Sequence, residues 1–323
     1  MSAQTRESLE PADRPGPTSV DVTSAEEVRR GTIYGALAFL VWGSFPLYFR
    51  ALEPASAVEI LLHRIVWSLL FCLVLLAVAR KLGAFWAVLR SPRLLATLGL
   101  AAVLIAVNWG VYIYAVNAGH VVEASLGYFI NPLLTVLLGV VVLHERLRRL
   151  QWFAVGVGFV AVVVLTVDYG HPPWIALILA ATFGSYGLVK NRVGGRVEAL
   201  PSLTTETAVL APFAVVALVW IEVTGRGSFG HAPPWHGLLL ASTGIATTVP
   251  LVLFAAGARR APLSTMGLLQ FITPVLQLLA GVLLLGESVP GPRWIGFGLV
   301  WVALILLSYD SVRTSRRGRL VRA

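Results

Sequence analysis

Residues 128 to 169 and residues 270 to 311 are one segment written twice. YFINPLLTVLLGVVVLHERLRRLQWFAVGVGFVAVVVLTVDY lies without a gap over QFITPVLQLLAGVLLLGESVPGPRWIGFGLVWVALILLSYDS, at a constant offset of 142. The alignment pairs Pro132 with Pro274, Gly139 with Gly281, Glu145 with Glu287, Trp152 with Trp294, Gly156 with Gly298 and Asp168 with Asp310. Self-similarity at so long a period inside an apolar chain points to duplication, and duplicated halves that face opposite ways across a membrane are a recurrent plan of secondary transporters. Inversion requires an odd number of membrane spans between the two copies.

The chain is apolar enough to supply those spans. Of its 323 residues 57% are hydrophobic and only 13% are charged, and the mean hydropathy is +0.80, too high for a water-soluble globule of this length. A bilayer core about 30 Å thick takes about 20 apolar residues of helix. Ten such stretches are predicted, at 33–51, 56–79, 94–116, 121–143, 150–168, 173–190, 203–224, 235–257, 262–285 and 293–310. Backbone polar groups find no water at that depth, so each stretch should be helix, and the alternation that strands of a closed barrel would show is absent. The expected fold is an all-α membrane protein with ten transmembrane helices in two inverted five-helix repeats, residues 31–170 and 171–311. Residues 1–30, polar and punctuated by Pro11, Pro15 and Pro17, read as a disordered tail with no removable signal peptide, and residues 312–323 as a basic tail. Cys72 is the only cysteine, which excludes an intrachain disulfide and a zinc site built on several thiolates.

Charge sets the orientation. Both tails and the connections after the second, fourth, sixth and eighth spans hold 21 of the 25 Lys and Arg residues. The positive-inside rule therefore places both termini in the cytoplasm. The bias toward Arg over Lys suggests a bacterial genome rich in G and C, hence a multi-pass protein of a bacterial inner membrane. The sequence pI of about 10.3 reflects contact with an anionic leaflet and not nucleic-acid binding, because no basic patch with interleaved aromatics stands in a soluble domain. In this orientation Glu145 falls in a cytoplasmic connection and Glu287 in an external one, so the halves are inverted. A fainter echo joins Trp42-Gly43-Ser44-Phe45 to Phe183-Gly184-Ser185-Tyr186, and Glu59 to Glu206.

Ionisable side chains at membrane depth mark a pathway or a paired structural site. The second span carries Glu59, His63 and Arg64, and the spacing of Glu59, His63 and Trp67 puts those three on one helical stripe. Arg64 lies about 12 Å into the span at about 1.5 Å per residue. Two readings of Arg64 stand together here: an ion pair with Glu123 or Glu206, or a wall of a polar cavity that takes an anionic or carbonyl group. Further inward stripes are Asn108 with Tyr112, Glu123 with Gly127 and Asn131, Thr243 with Thr247, and Gln270 with Thr273 and Gln277. Taken singly, such amides and hydroxyls more often bond helix to helix. Tyr48, Tyr114 and Trp235 suit interface anchors, whereas Trp42 and Trp109 sit deeper, where a pocket wall competes with core packing. The fifth and tenth spans carry no charge within their apolar stretch. With Gly156, Gly158, Gly296 and Gly298 they read as peripheral helices and as the candidate homodimer contact. Pro132 and Pro274 are the expected pair of hinges.

Some chemistry is missing. There is no GxxxxGK[ST] loop for a nucleotide, and His144-Glu145-Arg146 lacks the second histidine of a zinc-protease helix. No cofactor and no metal site are expected. An intramembrane acid/base enzyme built on Glu59, His63 and Arg64, and a non-transporting scaffold or sensor, stay open as alternatives to a transporter.

Several segments match a known pattern: Trp42-Gly43-Ser44-Phe45-Pro46-Leu47-Tyr48, Leu62-His63-Arg64-Ile65-Val66-Trp67-Ser68, NWGVYIYAVN from Asn108 to Asn117, SLGYFINPL from Ser125 to Leu133, Thr205-Glu206-Thr207, Pro250 to Phe254, and PLSTMGLLQF from Pro262 to Phe271. They cover the membrane region from about 33 to 310. On them the chain resembles the RarD branch, named for chloramphenicol sensitivity, of the EamA-type transporters in the drug/metabolite transporter superfamily. The resemblance implies ten helices in two inverted units, cytoplasmic termini, and export or exchange of small metabolites or drugs. It departs at the end of the fourth span, where His144-Glu145 stands in place of the Gly-Glu kept at Gly286-Glu287, so the same tight turn is not expected in the first copy. The expected binding site has Arg64, His63 and Glu59 as its polar end, Trp42, Trp109 and Tyr112 as its aromatic wall, and Asn108, Asn131 and Gln270 as added hydrogen-bond partners. Its expected partners are a small-molecule solute and the lipid bilayer.

Overall fold

The computed structural model describes residues 19–144, 146–193 and 196–320, and every regular element among them is helical. Glu145, the counterpart of Glu287 in the repeat, lies outside the described residues, as do 1–18, 194–195 and 321–323. In chain order the helices are α1 (Ser19–Gly43), α2 (Phe45–Arg50), α3 (Ala57–Val78), α4 (Leu82–Leu89), α5 (Pro92–Asn117), α6 (Val121–Leu143), α7 (Arg149–Tyr169), α8 (Trp174–Val193), α9 (Ala199–Val223), α10 (Pro234–Ala241), α11 (Thr243–Ala258), α12 (Leu263–Leu269) and α13 (Ile272–Leu279). A π-helical turn, Ala280–Leu284, follows α13, and α14 (Gly291–Leu320) closes the chain.

Nine helical stretches among the described residues are long and apolar enough to cross a bilayer. They match nine of the ten predicted spans, with the first formed by α1 and α2, the eighth by α10 and α11, and the ninth by α12, α13 and the π turn. The sixth prediction is helix α8, which is not among the nine because its last turn carries Lys190 and Arg192. Lys190 is paired with Glu206 of α9 at 2.6 Å and Arg192 is exposed, while the first half of α8 packs against α5 and α6 and buries Ile175, Ala176, Leu179, Ala180 and Gly184.

Both expected tails are partly helical. Helix α1 starts at Ser19, just past the prolines; its stretch Ala25-Glu26-Glu27 to Arg30 is stitched by Arg30 to Glu26 at 2.6 Å and tied to the turn after α11 by Arg260 to Glu27 at 3.1 Å. Helix α14 likewise runs on to Leu320 with no proline to stop it. The short apolar α4, between the second and third spans, has no counterpart among the predicted elements. The expected hinges also differ from each other. Helix α6 continues through Pro132, but the ninth span breaks between Leu269 and Ile272. Pro274 lacks the N–H that would have reached the carbonyl of Gln270, four residues back, which favours a break there.

Helix packing has a pattern. With the predicted spans numbered one to ten, the most extensive pairings are one with eight, three with six, four with six, one with nine, three with seven, two with eight, two with seven, four with nine and five with ten. Replacing each span by its counterpart five places on turns this set into itself. The fifth and tenth spans pair with each other, joined end to end by Arg148 to Asp310 at 2.8 Å and Arg293 to Asp168 at 2.9 Å. Gly296 packs there on Leu165, Gly158 packs instead on Leu133 of α6, and Gly156 and Gly298 meet nothing within 4 Å. The apolar core follows the same division. One cluster joins α6, α7, α8 and α14 around Phe129, Leu165 and Phe297, and another joins α2, α3, α5 and α8 around Phe49, Ile60, Tyr112 and Leu179.

Glu287 shows what the repeat does at a helix end. Its carboxylate accepts the N–H groups of Val121 at 2.6 Å and Val122 at 2.8 Å, the open donors of the first turn of α6. Burial pushes its carboxyl up from the ordinary value, against the pull of those two N–H bonds and of His120 and Arg293. The residue before it, Gly286, sits in the left-handed region at φ 71°. At the equivalent place His144 takes the same conformation, φ 56° and ψ 31°, and its N–H bonds to Gly139 O. The left-handed turn not expected at a histidine is therefore made, with a side chain that such backbone disfavours. His144→Gly is expected to stabilise the protein by about 0.5–1 kcal/mol, because relief of that strain exceeds the added freedom of the unfolded chain. A thermal melt in detergent checks it, and an unchanged or lower midpoint would mean that no strain is held there.

Candidate functional site

Helix α3 begins at Ser56, whose hydroxyl accepts the N–H of Glu59, and from that cap its residues turn about 100° apiece. This places His63 and Arg64, adjacent in sequence, on different faces. Arg64 turns toward α5 and α11 and is 4% exposed. Its guanidinium carbon lies 4.0 Å from the ring centre of Trp109 on α5, and 5.4 Å and 5.5 Å from those of Phe45 and Phe49 on α2. Its Nε donates to Thr247 Oγ1 on α11 at 2.8 Å. The hydroxyls of Tyr48, Tyr112 and Tyr128 complete its electrostatic surroundings.

The break between α1 and α2 is what brings Phe45 and Phe49 to the guanidinium. Ser44 folds its hydroxyl back on Val41 O at 2.8 Å, and Pro46 opens α2, where it needs no intrahelical donor. One turn apart, Phe45 and Phe49 then pack ring to ring at 5.2 Å, and Phe49 meets Tyr112 edge-on at 6.0 Å. Tyr112 in turn crosses Tyr128 at 5.7 Å. Tyr128 donates to Asn108 Oδ1 at 3.2 Å, and Asn108 Nδ2 reaches Leu179 O and Thr182 Oγ1, each at 3.0 Å, so this side of the cluster is fixed to α8. Tyr48 bonds to Ser242 Oγ at 2.7 Å and donates to Leu239 O at 3.2 Å, fixing the other side to α10. The Tyr112 hydroxyl, by contrast, is buried with no partner.

Of the residues expected in the site, Arg64, Trp109, Tyr112 and Asn108 come together. Glu59 and His63 do not join them. Glu59 accepts both the N–H of Ser228 at 2.7 Å and its hydroxyl at 2.8 Å, and the His63 ring stacks on Phe229 at 4.8 Å. Both hold the connection between α9 and α10. Trp67 Nε1 donates to His63 Nδ1 at 3.2 Å, which puts the proton of a neutral ring on Nε2, itself buried without a partner. Trp42 packs on Phe39 and Phe254, and its carbonyl accepts from Gln277 at 3.3 Å, on the far side of the break from Phe45. The side-chain oxygen of Asn131 is buried and unpartnered beside Gly184. Gln270 lies half-buried at the break in the ninth span.

Neither acid suggested as an ion-pair partner of Arg64 serves it. Glu123 accepts the N–H of Ile175 at the start of α8. Glu206 pairs with Lys190 at 2.6 Å and accepts from Tyr186 and Ser202. Breaking a pair as buried as the last costs about 3–5 kcal/mol, less here by the share that the partly exposed Lys190 regains from water. Tyr48, expected as an interface anchor, instead stands beside Arg64. Tyr128 belongs to the matched segment SLGYFINPL but has no expected role in the site. The signal that could have placed it is the one-turn spacing to Ala124 and Asn131 on an inward face.

A buried guanidinium costs several kcal/mol in lost hydration. Each desolvated cation–π contact returns about 2 kcal/mol, and a hydrogen bond to a charged group about 1.5–3 kcal/mol. Three rings and Thr247 can therefore hold the cation in place without neutralising it.

The model of the EamA-like transporter family matches the chain twice, over residues 29–167 and 173–309. Among curated proteins, Protein RarD of Streptomyces exfoliatus is 51% identical over 293 residues, covering 91% of this chain and 92% of that protein. Protein RarD of Escherichia coli strain K12 is 40% identical over 293 residues, covering 91% and 98%. The uncharacterized transporter YojE of Bacillus subtilis strain 168 is 41% identical over 302 residues, covering 91% and 98%. A solved crystal structure, at 20% identity, superimposes with a TM-score of 0.55 over 86% of this chain and 97% of its own, a likeness of fold.

Proposed function

We propose that this chain, which belongs to the EamA-like transporter family, carries a small organic solute outward across the bacterial inner membrane by alternating access. The observation that carries this reading is the buried polar and aromatic cluster around Arg64, built from α2, α3, α5, α6 and α11, which belong to both halves of the chain. Arg64, Trp109, Tyr112 and Asn108 bind the solute there, with Tyr48, Tyr128 and Thr247. Trp42 and Asn131 line its route, and Gln270 moves with the break in the ninth span. Glu59 and His63 latch the connection between α9 and α10 over the outer end. Two inverted five-helix units, with both termini in the cytoplasm, rock about this cluster. The double family match and the pairing pattern that maps onto itself support that arrangement. Inverted units can exchange conformations, which gives two states of similar energy with access from opposite sides.

The test is counterflow of a radiolabelled amino-acid pool and of chloramphenicol in proteoliposomes of the purified protein, with and without an inward-acid gradient. Flux absent from empty liposomes is expected. Its dependence on the gradient identifies proton coupling, and its indifference identifies facilitated exchange. No counterflow of any member of the pool argues against transport. In the same preparation, with Cys72→Ser as background, cysteines at positions 146 and 288 should label from opposite faces of the membrane. Labelling of both from one face rules out the inversion.

A further inference from the structure

Six buried or half-buried acids of the described residues are already engaged, and Glu222, at the far end of α9, has His231 at 3.7 Å. Glu59 takes two donors from Ser228, Glu123 the N–H of Ile175, Glu206 the ammonium of Lys190, and Glu287 the first turn of α6. Asp168 and Asp310 take Arg293 and Arg148. None of these acids stands against Arg64. Among the described residues its hydrogen bond goes to a neutral hydroxyl and its faces go to rings. The Arg64 cluster thus buries a cation with no acid of the described residues against it, and an unpartnered Tyr112 hydroxyl belongs to the same group of side chains.

We infer that the solute carries a single organic carboxylate, which supplies the negative charge opposite Arg64, attached to a flat apolar body that fits the cage of Trp109, Phe45, Phe49 and Tyr112. This deepens the transport reading and rests on it. With Nε given to Thr247, the guanidinium keeps four N–H donors in a planar fork, the geometry that a carboxylate accepts in a bidentate pair. The Tyr112 O–H adds a further donor to the same oxygens. A cationic solute would meet like charge in a low dielectric, and a neutral carbonyl would accept a hydrogen bond yet leave the charge uncompensated. A dianionic phosphate would need a second free cation, and Lys190 is already neutralised by Glu206.

The experiment is calorimetric titration of the full-length protein in detergent with phenylacetate, its amide phenylacetamide, the amine phenethylamine, and sodium chloride, extended to benzoate and indole-3-acetate. At least one of the carboxylates is expected to bind, at least about tenfold more tightly than the amide, with no binding of the amine. Arg64→Met should erase the preference and Arg64→Lys keep part of it. Tyr112→Phe, which retains the ring, should weaken only the carboxylate, several-fold. Amide or amine binding as tight as the carboxylate overturns the inference. So does chloride competing at the same concentration, or no binding by any of the three carboxylates. Counterflow separates this from the transport reading. A neutral solute that is carried while carboxylates are not removes the inference and leaves transport. A carboxylate that binds through Arg64 but never crosses removes transport and leaves the site.

Discussion

Arg64→Met is expected to abolish solute flux while leaving the melting temperature unchanged or raised. Both halves of that outcome follow from the same geometry. Truncating one partner of a desolvated charge contact costs about 2–5 kcal/mol, a loss of roughly 30-fold to several thousandfold in solute binding. Methionine meanwhile fills much of the space of arginine with an apolar, adaptable chain, and it removes a buried cation that no acid of the described chain compensates. Replacing buried charge by well-packed apolar side chains is commonly neutral or stabilising by about 1–4 kcal/mol. Forfeiting the cation–π attraction of Trp109, Phe45 and Phe49 offsets part of that gain. If Arg64 were instead half of a structural ion pair, its removal would strand the partner and cost about 3–5 kcal/mol. Paired measurements of proteoliposome flux and detergent melting therefore separate the two roles. A variant that melts early and fails to insert would return Arg64 to the architecture.

The long-range plan of the molecule was legible because it is written in periodicity. The 142-residue offset predicts equivalent helix ends, and His144 and Gly286 share a left-handed turn there despite their different side chains. Nine of the ten predicted spans recur as membrane-length helices, and the sixth is a helix whose last turn carries Lys190, paired with Glu206, and the exposed Arg192. The site was legible in part. Depth in the second span singled out Arg64, and depth in the third singled out Trp109. Grouping Arg64 with Glu59 and His63, however, ignored a rotation that helical geometry already fixes: Glu59, His63 and Trp67 share a stripe, and Arg64 lies about 100° from it. What no local pattern could supply is the identity of the opposing wall. Thr247 is 183 residues from Arg64, and Ser228 is 169 from Glu59. Nor does a hydropathy profile show that the first span breaks at Ser44, the event that turns Phe45 and Phe49 onto the guanidinium.

The second large effect belongs to a residue with no side chain. Gly244 lies on α11 where that helix crosses α3, and a Cβ built there would come within 2.4 Å of Trp67 O and 2.5 Å of its carbonyl carbon. Both are helix backbone atoms, so no rotamer change can clear them. Gly244→Val must therefore push α3 and α11 apart. Overpacking of this kind costs about 1–3 kcal/mol in a well-packed interior, toward the upper end here because the obstruction is main chain. The functional consequence exceeds the stability one. Thr247 lies one turn beyond Gly244, and the two helices carry the two ends of the 2.8 Å bond between Arg64 Nε and Thr247 Oγ1. Separating them by about 1 Å stretches that bond past hydrogen-bonding range and frees the guanidinium to rotate in its cage. Flux is expected to fall at least about tenfold even at temperatures where the variant remains folded, since a lost hydrogen bond to a charged group is worth about 1.5–3 kcal/mol. The control is Gly156→Val, also in a membrane span but with nothing within 4 Å of its added carbon, which should leave flux and melting unchanged. Equal behaviour of the two variants would show that the crossing at Gly244 does not set the position of Arg64. Loss in Gly244→Val with rescue by Gly244→Ala would show that the helices have slack there, because alanine already carries the clashing carbon.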